Sequence, residues 1–543
     1  MNKSLLSTLI ITVLGTNFAH AETLDAGSIS RQAEQDIPIQ PQTVNLQKLE
    51  QTAVSTDNTP IEVKHIQLNG RALLSLEEIQ PVLNEYIGTT TTFGGLQQLA
   101  QKVAHVYHKA GYPLAQAVIP PQRIENGVIV LQVIEGKIAS VNVQNQSRLS
   151  DKVAENYLTR AIQPNAPLKQ ADSERALLLI KGLAGTKEAH YRLSDKGQGA
   201  ELVANLGKAP LVDGFVMLDN YGSRSTGKTR TRAGLNINSP FGRGERFSTQ
   251  AMSSFKGVNY ARLSMDTPIG YHGLSTSLGV GHTRYDLGGA FKDLDATGNA
   301  TTVDWSMRYP LLLSNQRNVS LFGGVEYRKL KDEIGVTDTV TRKKLHSVNV
   351  GVNGWSRYGS GVTQFNLINT LGRLDIKSAD ALAIDKISAK TDGGYYKLNA
   401  SLSHTQYLTP KFSMRVGVNG QWANKNLDSA EQLSLGGADA VVAYHSNDVS
   451  ADQGLIGQLE LAYAVSPYVS VLAFYDYGQA KLRRNPYIDW ARNSVHLHGG
   501  GVGLNAQYKG FFAETKLAFA GKNGDLADIR KSKQWWVKAG YQF

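Results

Sequence analysis

The 543-residue chain contains no cysteine, which suits a compartment where stray thiols are oxidised. Beyond the N-terminus it has no run of about 18 apolar residues, so no transmembrane helix is expected. Its low mean hydropathy does not exclude a membrane protein, because the polar lumen face and apolar outer face of a β-barrel average out. Positive charge is not concentrated. A net charge of +11 is modest for this length, and Lys and Arg are dispersed along strand-like segments. A nucleic-acid partner is therefore not expected. Gly242-Arg243-Gly244 and Gly436-Gly437 lack the Lys-Ser/Thr that would follow in a phosphate loop. No cofactor, metal or catalytic residue is expected. His496 and His498 share a strand face, but no third ligand accompanies them.

What is present begins with a secretory signal. Lys3 supplies a positive end, Leu5 to Leu14 a short apolar core, and Ala19-His20-Ala21 a cleavage site. Residues 1–21 are read as a signal peptide and the mature chain as exported. Residues 22–60 are a polar lead. Ser28 to Asp36 suits a short helix, and Pro38, Pro41 and Pro60 bracket a Gln/Thr/Asn-rich linker.

Residues 61–136 read as a β-α-α-β-β domain. Val63, His65, Ile66 and Leu68 lie in a strand, and Ser75 with Glu78 forms a capping box. Phe93 to Ala110 is an amphipathic helix with Leu96, Leu99, Val103 and Val106 on one face, ended by Gly111. Two strands follow. Residues 137–207 repeat the order, and two tandem units of this kind offer strand edges and grooves to a partner.

From residue 208 the texture becomes β. Sixteen strand-like runs begin near residues 213, 229, 245, 258, 272, 300, 318, 343, 361, 393, 411, 454, 469, 494, 511 and 534. Connectors near 240, 270, 314, 359, 409, 467 and 510 are short. Those near 290, 335, 385, 440, 488 and 527 are longer. Short turns at one end and long loops at the other are the plan of an outer-membrane barrel. The last strand puts Trp535, Val537, Ala539, Tyr541 and Phe543 on one apolar face. Trp535, Val537, Tyr541 and Phe543 are read as the barrel-assembly signal.

Several stretches resemble the two-partner secretion transporters of Gram-negative outer membranes. Residues 111–137, with Gly111, Tyr112, Pro113, Pro120, Gln122, Gly127 and Gly136, are similar to that family's first POTRA (polypeptide-transport-associated) domain. Leu218-Asp219-Asn220-Tyr221-Gly222 and Thr226-Gly227 resemble its first barrel strand, and Tyr260-Ala-Arg-Leu-Ser with Pro268 and Gly270 its fourth. Gln432 to Gly437 leads into residues resembling the tip of its sixth extracellular loop, and Phe474-Tyr-Asp476-Tyr-Gly478 resembles its strand-thirteen motif. The resemblance implies a transmembrane β-barrel of 16 antiparallel strands with two periplasmic α/β POTRA domains, POTRA 1 at 61–136 and POTRA 2 at 137–207. It also implies an N-terminal plug helix at 25–36. The implied function is to move an unfolded exoprotein, recognised through its N-terminal secretion domain, across the outer membrane. A monomer is expected, with outer-membrane lipid and the barrel-assembly machinery as further partners. The rival readings are a porin and a barrel-assembly factor.

One departure stands out. The family's loop tip carries an Arg that enters the lumen and pairs with the strand-thirteen Asp. Here the tip, after Gly436 and Gly437, reads Val441-Val442-Ala443-Tyr444. Parity sends Phe474, Asp476 and Gly478 into the lumen, and the resemblance implies that the position paired with Asp476 is occupied here by Val442. Losing such a pair is expected to weaken the loop's tether by on the order of 1–3 kcal/mol. Arg415 and Lys397 have lumen-facing parity and are the candidate substitute cations.

Overall fold

The computed structural model describes residues 25–34, 59–70, 72–195, 200–446, 448–487, 492–522 and 533–543. The expected signal peptide and most of the expected linker lie outside these residues.

Helix α1 (Ala26–Ala33) starts earlier than the residue pattern suggests, because Asp25 caps it. The Asp25 carboxylate accepts from the Ser28 backbone N–H at 2.9 Å, and the Ser28 hydroxyl accepts from the Asp25 backbone N–H at 3.2 Å.

The first α/β unit holds β1 (Ile61–Val63), β2 (His65–Asn69), α2 (Leu76–Asn84), β3 (Thr89–Thr91), α3 (Phe93–Lys109), β4 (Gln116–Val118) and β5 (Val128–Ile134). The order β2-β5-β4 combines a parallel and an antiparallel pair, and β1 pairs separately with β3. Leu96, Leu99 and Val103 of α3 are completely buried against Ile129 and Leu131 of β5. The second unit holds β6 (Ile138–Asn145), α4 (Asp151–Ala161), α5 (Gln170–Gly182), β7 (Thr186–Asp195) and β8 (Ala200–Lys208), in the order β6-β8-β7. In both units helices cover one sheet face, and β4 and β7 each have one edge with no strand partner among the described residues.

The wall of the barrel is β9 (Val212–Asp219), β10 (Arg230–Asn238), β11 (Arg246–Ser253), β12 (Val258–Ile269), β13 (Leu274–Asp286), β14 (Ala296–Leu313), β15 (Arg317–Ile334), β16 (Thr339–Tyr358), β17 (Gly361–Ile376), β18 (Gly393–Tyr407) and β19 (Phe412–Ala423), with helix α6 (Ala379–Ile387) in the connector after β17. A two-strand hairpin of β20 (Leu433–Ser434) and β21 (Ser450–Ala451) sits inside the next loop. The wall resumes with β22 (Gln453–Ser466), β23 (Val469–Lys481), β24 (Ser494–Tyr508), β25 (Phe511–Ala520) and β26 (Lys533–Gln542). These sixteen strands close antiparallel when β26 pairs with β9. The closing seam has five residue pairs against eighteen between β15 and β16, so closure relies on side chains as well as the ladder.

Every strand begins within four residues of its expected start. One connector differs. The loop expected near 335 is only Gly335–Asp338, because β15 and β16 run for 18 and 20 residues. A membrane crossing needs about 9–11, so these strands rise above it, and what reads as a polar loop is the top of a β-ribbon.

Side chains alternate as a barrel requires. Leu263, Leu278, Leu371, Leu402 and Val502 stand exposed on the outer face. An apolar belt of this extent belongs in lipid. The second α/β unit seats against the turns at one mouth. The Arg175 guanidinium donates to Pro310 O at 2.7 Å, the Ser150 N–H donates to Gly242 O at 2.9 Å, and Tyr157 meets Tyr271 edge to face at 5.3 Å.

Candidate functional site

The lumen is filled from two directions, by helix α1 and by the loop between β19 and β22. The loop tip is tightly folded. The Val441 N–H donates to Leu435 O at 2.9 Å, and the Gly437 N–H donates to Tyr444 O at 3.0 Å. Gly436 is bridged to Val441. Val441, Val442, Ala443 and Tyr444 are all buried, packed with Leu435, Val449, Phe474, Leu497 and Trp536. Gly478 makes the close approach possible, since a Cβ there would lie 2.8 Å from Val441 Cγ2.

Asp476 is on the lumen face of β23 and is 2 % exposed. Its carboxylate accepts the Val442 backbone N–H at 3.1 Å, and Gln458 lies directly across the ladder. The structure pairs Asp476 with neither candidate cation. Lys397 forms an ion pair with Glu431 at 2.6 Å. Arg415 stands exposed opposite Glu460, too near the other mouth to reach the loop. The expected pairing with Lys397 or Arg415 is corrected: Asp476 takes a backbone N–H of the loop tip, with Lys516 of β25 the cation that acts on it.

Trp536 is the decisive residue that the residue pattern left unassigned. It is 1 % exposed, its Nε1–H donates to Val442 O at 2.7 Å, and its ring meets Tyr221 edge to face at 5.3 Å. Residue 442 is thus held at both backbone groups, by Asp476 and by Trp536. Tyr221 belongs to the motif at the end of β9. Beside it the buried Asp219–Arg230 pair lies at 2.7 Å. Asn220 donates to Trp535 O at 2.8 Å and accepts from the Val537 N–H at 2.8 Å, which extends the short seam. Among the C-terminal residues, Trp535, Tyr541 and Phe543 are exposed on the outer face, with Val537 on the same parity. The parity of Trp536 was visible in the sequence, and a Trp aimed into a polar lumen was the available signal.

Helix α1 docks beside this loop. Gly27 lets it touch the Ser429–Glu431 turn, since a Cβ on Gly27 would lie 2.7 Å from Ala430 Cβ. Asp332 accepts from the Ala26 N–H at 2.8 Å and from the Tyr285 hydroxyl at 2.6 Å. Lys343 bridges loop and helix, at 2.7 Å from Asp428 and 3.6 Å from Asp25. Glu34 pairs with Arg328 at 3.0 Å. Burial acts to raise the Asp25 and Glu431 carboxyls. Lys343 facing Asp25, and Lys397 and then Arg328 facing Glu431, outweigh it with their hydrogen-bond donors and hold both below the usual carboxylate range. Burial pushes the Arg31 guanidinium down to about 10, against the pull of Glu431 and Asp25. Its Nη1 and Nη2 are buried with no hydrogen-bond partner among the described residues. Arg31 lines the cavities on both sides of the helix. Cavities of about 900 and 400 Å³ flank it, lined by polar residues such as Ser248, Gln250, Asn349 and Asn399.

The residues of the first α/β unit that carried the resemblance are structural. Gly111, Gly127 and Gly136 all have left-handed φ, of 93°, 73° and 62°. Gln122 grips Val130 at both backbone groups, at 2.8 and 2.7 Å, and so continues the pairing of β5 after β4 ends. Tyr112 packs at the core edge, and Pro113 and Pro120 lie in the turns on either side of β4.

Comparison with known proteins agrees with this geometry. The model of the family described as haemolysin secretion/activation protein ShlB/FhaC/HecB matches residues 199–506, and the ShlB-type POTRA domain matches residues 61–136. The heme/hemopexin transporter protein HuxB of Haemophilus influenzae is 27% identical over 534 residues, covering 94% of each chain. The hemolysin transporter protein HpmB of Proteus mirabilis is 23% identical over 562 residues, covering 93% of each. The solved structure of CdiB from Escherichia coli superposes with a TM-score of 0.72 at 18% identity, covering 100% of this chain and 98% of that one. A closed sixteen-strand barrel, two α/β units at one mouth, and a family model spanning more than half the chain establish that this protein belongs to the ShlB/FhaC/HecB haemolysin secretion/activation family, the outer-membrane transporters of two-partner secretion.

Proposed function

We propose that the protein captures a large exoprotein at its two α/β units and threads it unfolded through the barrel after helix α1 leaves the lumen. The observation that carries this reading is the plug. An eight-residue helix obstructs the lumen, held by a few hydrogen bonds and ion pairs to the wall and loop, and residues 35–60 provide enough chain to let it withdraw. A permanently open porin has no use for such a device. The unpaired edges of β4 and β7 suit strand addition by the exoprotein's N-terminal secretion domain. The second unit, read as POTRA 2, transmits capture to the barrel through the contacts at Gly242, Tyr271 and Pro310. Polar lumen side chains give an extended backbone transient hydrogen bonds without trapping it. Folding of the exoprotein outside opposes back-sliding. The protein acts as a monomer, exported by residues 1–21 and inserted by the barrel-assembly machinery through its C-terminal strand.

The test is secretion in an outer-membrane host that co-expresses the exoprotein encoded beside this gene. Export is expected from the full chain and not from a variant lacking residues 61–207. If that variant exports as well as the full chain, capture by the α/β units is wrong. If the intact, inserted barrel leaves the exoprotein in the periplasm and conducts ions freely, the porin reading replaces this one.

A further inference from the structure

The outer face of β15, β16 and β17 changes character near the extracellular mouth, the one opposite the α/β units. Val325 and Val348 end the apolar belt. The next row is aromatic, with Tyr327 directly opposite His346 and ring centroids 4.9 Å apart, as expected at a membrane interface. Above it the ladder sets Lys329 opposite Lys344 and Lys331 opposite Arg342. On the far side of β16, His346 faces Arg373. Like charges directly opposed on one sheet face destabilise it, and here two such pairs are stacked. Two acids lie nearby, one of them, Asp375, directly opposite Lys344 on the β17 side. Glu333 pairs with Lys331, and Asp375 lies 3.1 Å from Arg373 and 3.8 Å from Lys377. Lys329, Arg342 and Lys344 have no ion pair among the described residues. Steps of two residues along a tilted strand raise each row by about 5 Å along the membrane normal. The basic rows therefore stand where the headgroups of the outer leaflet lie.

A cleft of about 820 Å³ opens directly beneath. Its apolar wall includes Val303, Trp305, Val325, Val348, Leu371 and Tyr396. It is open because Gly394, paired with Arg373 across the ladder, puts no side chain outward. The described cations near this mouth on β23 and β26 are not opposed in this way: Lys481 faces Ser494 and Lys533 faces Phe519.

We propose that this face is a discrete binding site for a phosphorylated, acylated glycolipid of the outer leaflet. Its phosphates sit between the opposed cations of β15 and β16, and one acyl chain lies in the cleft below. The charge pattern argues for an anionic headgroup, and the cleft beneath it for an acyl chain attached to that headgroup. The site rests on the outer-membrane placement of the barrel and is independent of how cargo moves.

The test uses the full chain, purified in detergent and stripped of lipid, with heat-modifiable migration as the check of folding. Native mass spectrometry follows titration with lipid A, monophosphoryl lipid A and phosphatidylglycerol. The parent protein is expected to retain lipid A at a small fixed stoichiometry, monophosphoryl lipid A several-fold more weakly, and phosphatidylglycerol least. The folded variant Lys329→Glu/Arg342→Glu/Lys344→Glu is expected to bind lipid A at least tenfold more weakly, and Lys481→Glu/Lys533→Glu to bind like the parent. A milder variant, Lys329→Gln, supplies a test of sign. Without lipid it should melt higher than the parent, because a repulsion is gone, and lipid A should then raise its Tm less. Equal lipid A binding by parent and triple variant, equal binding of lipid A and phosphatidylglycerol, or a Lys329→Gln protein that gains as much from lipid A as the parent would each overturn the proposal.

Discussion

If the loop tip is held by an apolar cluster rather than an ion pair, Trp536 matters more to it than Asp476. Trp536→Ala removes a side chain that is 1 % exposed and touches the loop through both its ring and its Nε1–H. Deleting a buried Trp costs about 3–5 kcal/mol. Part of the loss falls on the docked loop, through Val442, and part on the barrel wall, through Tyr221 at the end of β9. If about half falls on the loop, at about 1.4 kcal/mol per factor of ten the docked-to-free ratio drops by about 10- to 100-fold. Trp536→Phe keeps a ring in place and loses one hydrogen bond, about 1 kcal/mol or fivefold. Asp476→Asn keeps an acceptor for the Val442 N–H and loses only its charge, again about 1 kcal/mol.

The natural chain has no cysteine, so a single Ala440→Cys at the loop tip reports alone. A membrane-impermeant maleimide applied to intact cells measures how often the tip leaves the lumen. The labelling rate should rank Trp536→Ala above Trp536→Phe and Asp476→Asn, with the parent slowest. If Asp476→Asn labels fastest, or if Trp536→Ala labels no faster than Trp536→Phe, the apolar account of the tether is wrong.

Val442→Arg should be tolerated while Asp476 remains to receive the guanidinium. Adding Asp476→Asn should then cost a further ~3–5 kcal/mol for a buried unpaired charge, read as non-additive labelling at residue 440; additive effects would refute the pairing. Lys343→Met leaves Asp25 and Asp428 without their shared cation. It should undock α1 by about 3–5 kcal/mol and raise single-channel conductance in planar bilayers, where an unchanged conductance would show that α1 is held by other means. Acid should act in the same direction. The Asp25 and Glu431 carboxyls sit below their free values of 3.8 and 4.5 when docked, so their contribution is complete above those values and is lost as pH falls through the docked ones. Conductance should rise as pH falls below about 4, and a conductance unchanged there would show that these two carboxylates do not hold the helix.

The wall of this protein was legible because it is local. Alternation, turn composition and loop asymmetry act over a few residues, and they placed sixteen strands and the inward aim of Asp476. The contents of the lumen were not legible in that way. Lys343 was an ordinary strand lysine until the fold brought it to Asp428 and to Asp25, more than 300 residues away in the chain. Arg415 and Lys397 had the right parity for Asp476, but parity fixes a face and says nothing of height. Arg415 lies toward the wrong mouth, and Lys397 meets Glu431 first. Trp536 shows the remaining limit. An aromatic in a terminal strand is read by default as interface, and its parity alone spoke against that. Side-chain pairing alone makes Val442 a poor partner for Asp476. The backbone N–H of residue 442 is present whatever the side chain, and once the carboxylate takes it, an apolar side chain at 442 joins the cluster with Trp536 instead of requiring a charge partner. A tether built this way is largely apolar, with one carboxylate on a backbone N–H, while α1 beside it is held by several carboxylate–cation pairs. The two obstructions in the lumen thus respond to different forces, so a perturbation of charge acts on the helix more than on the loop tip.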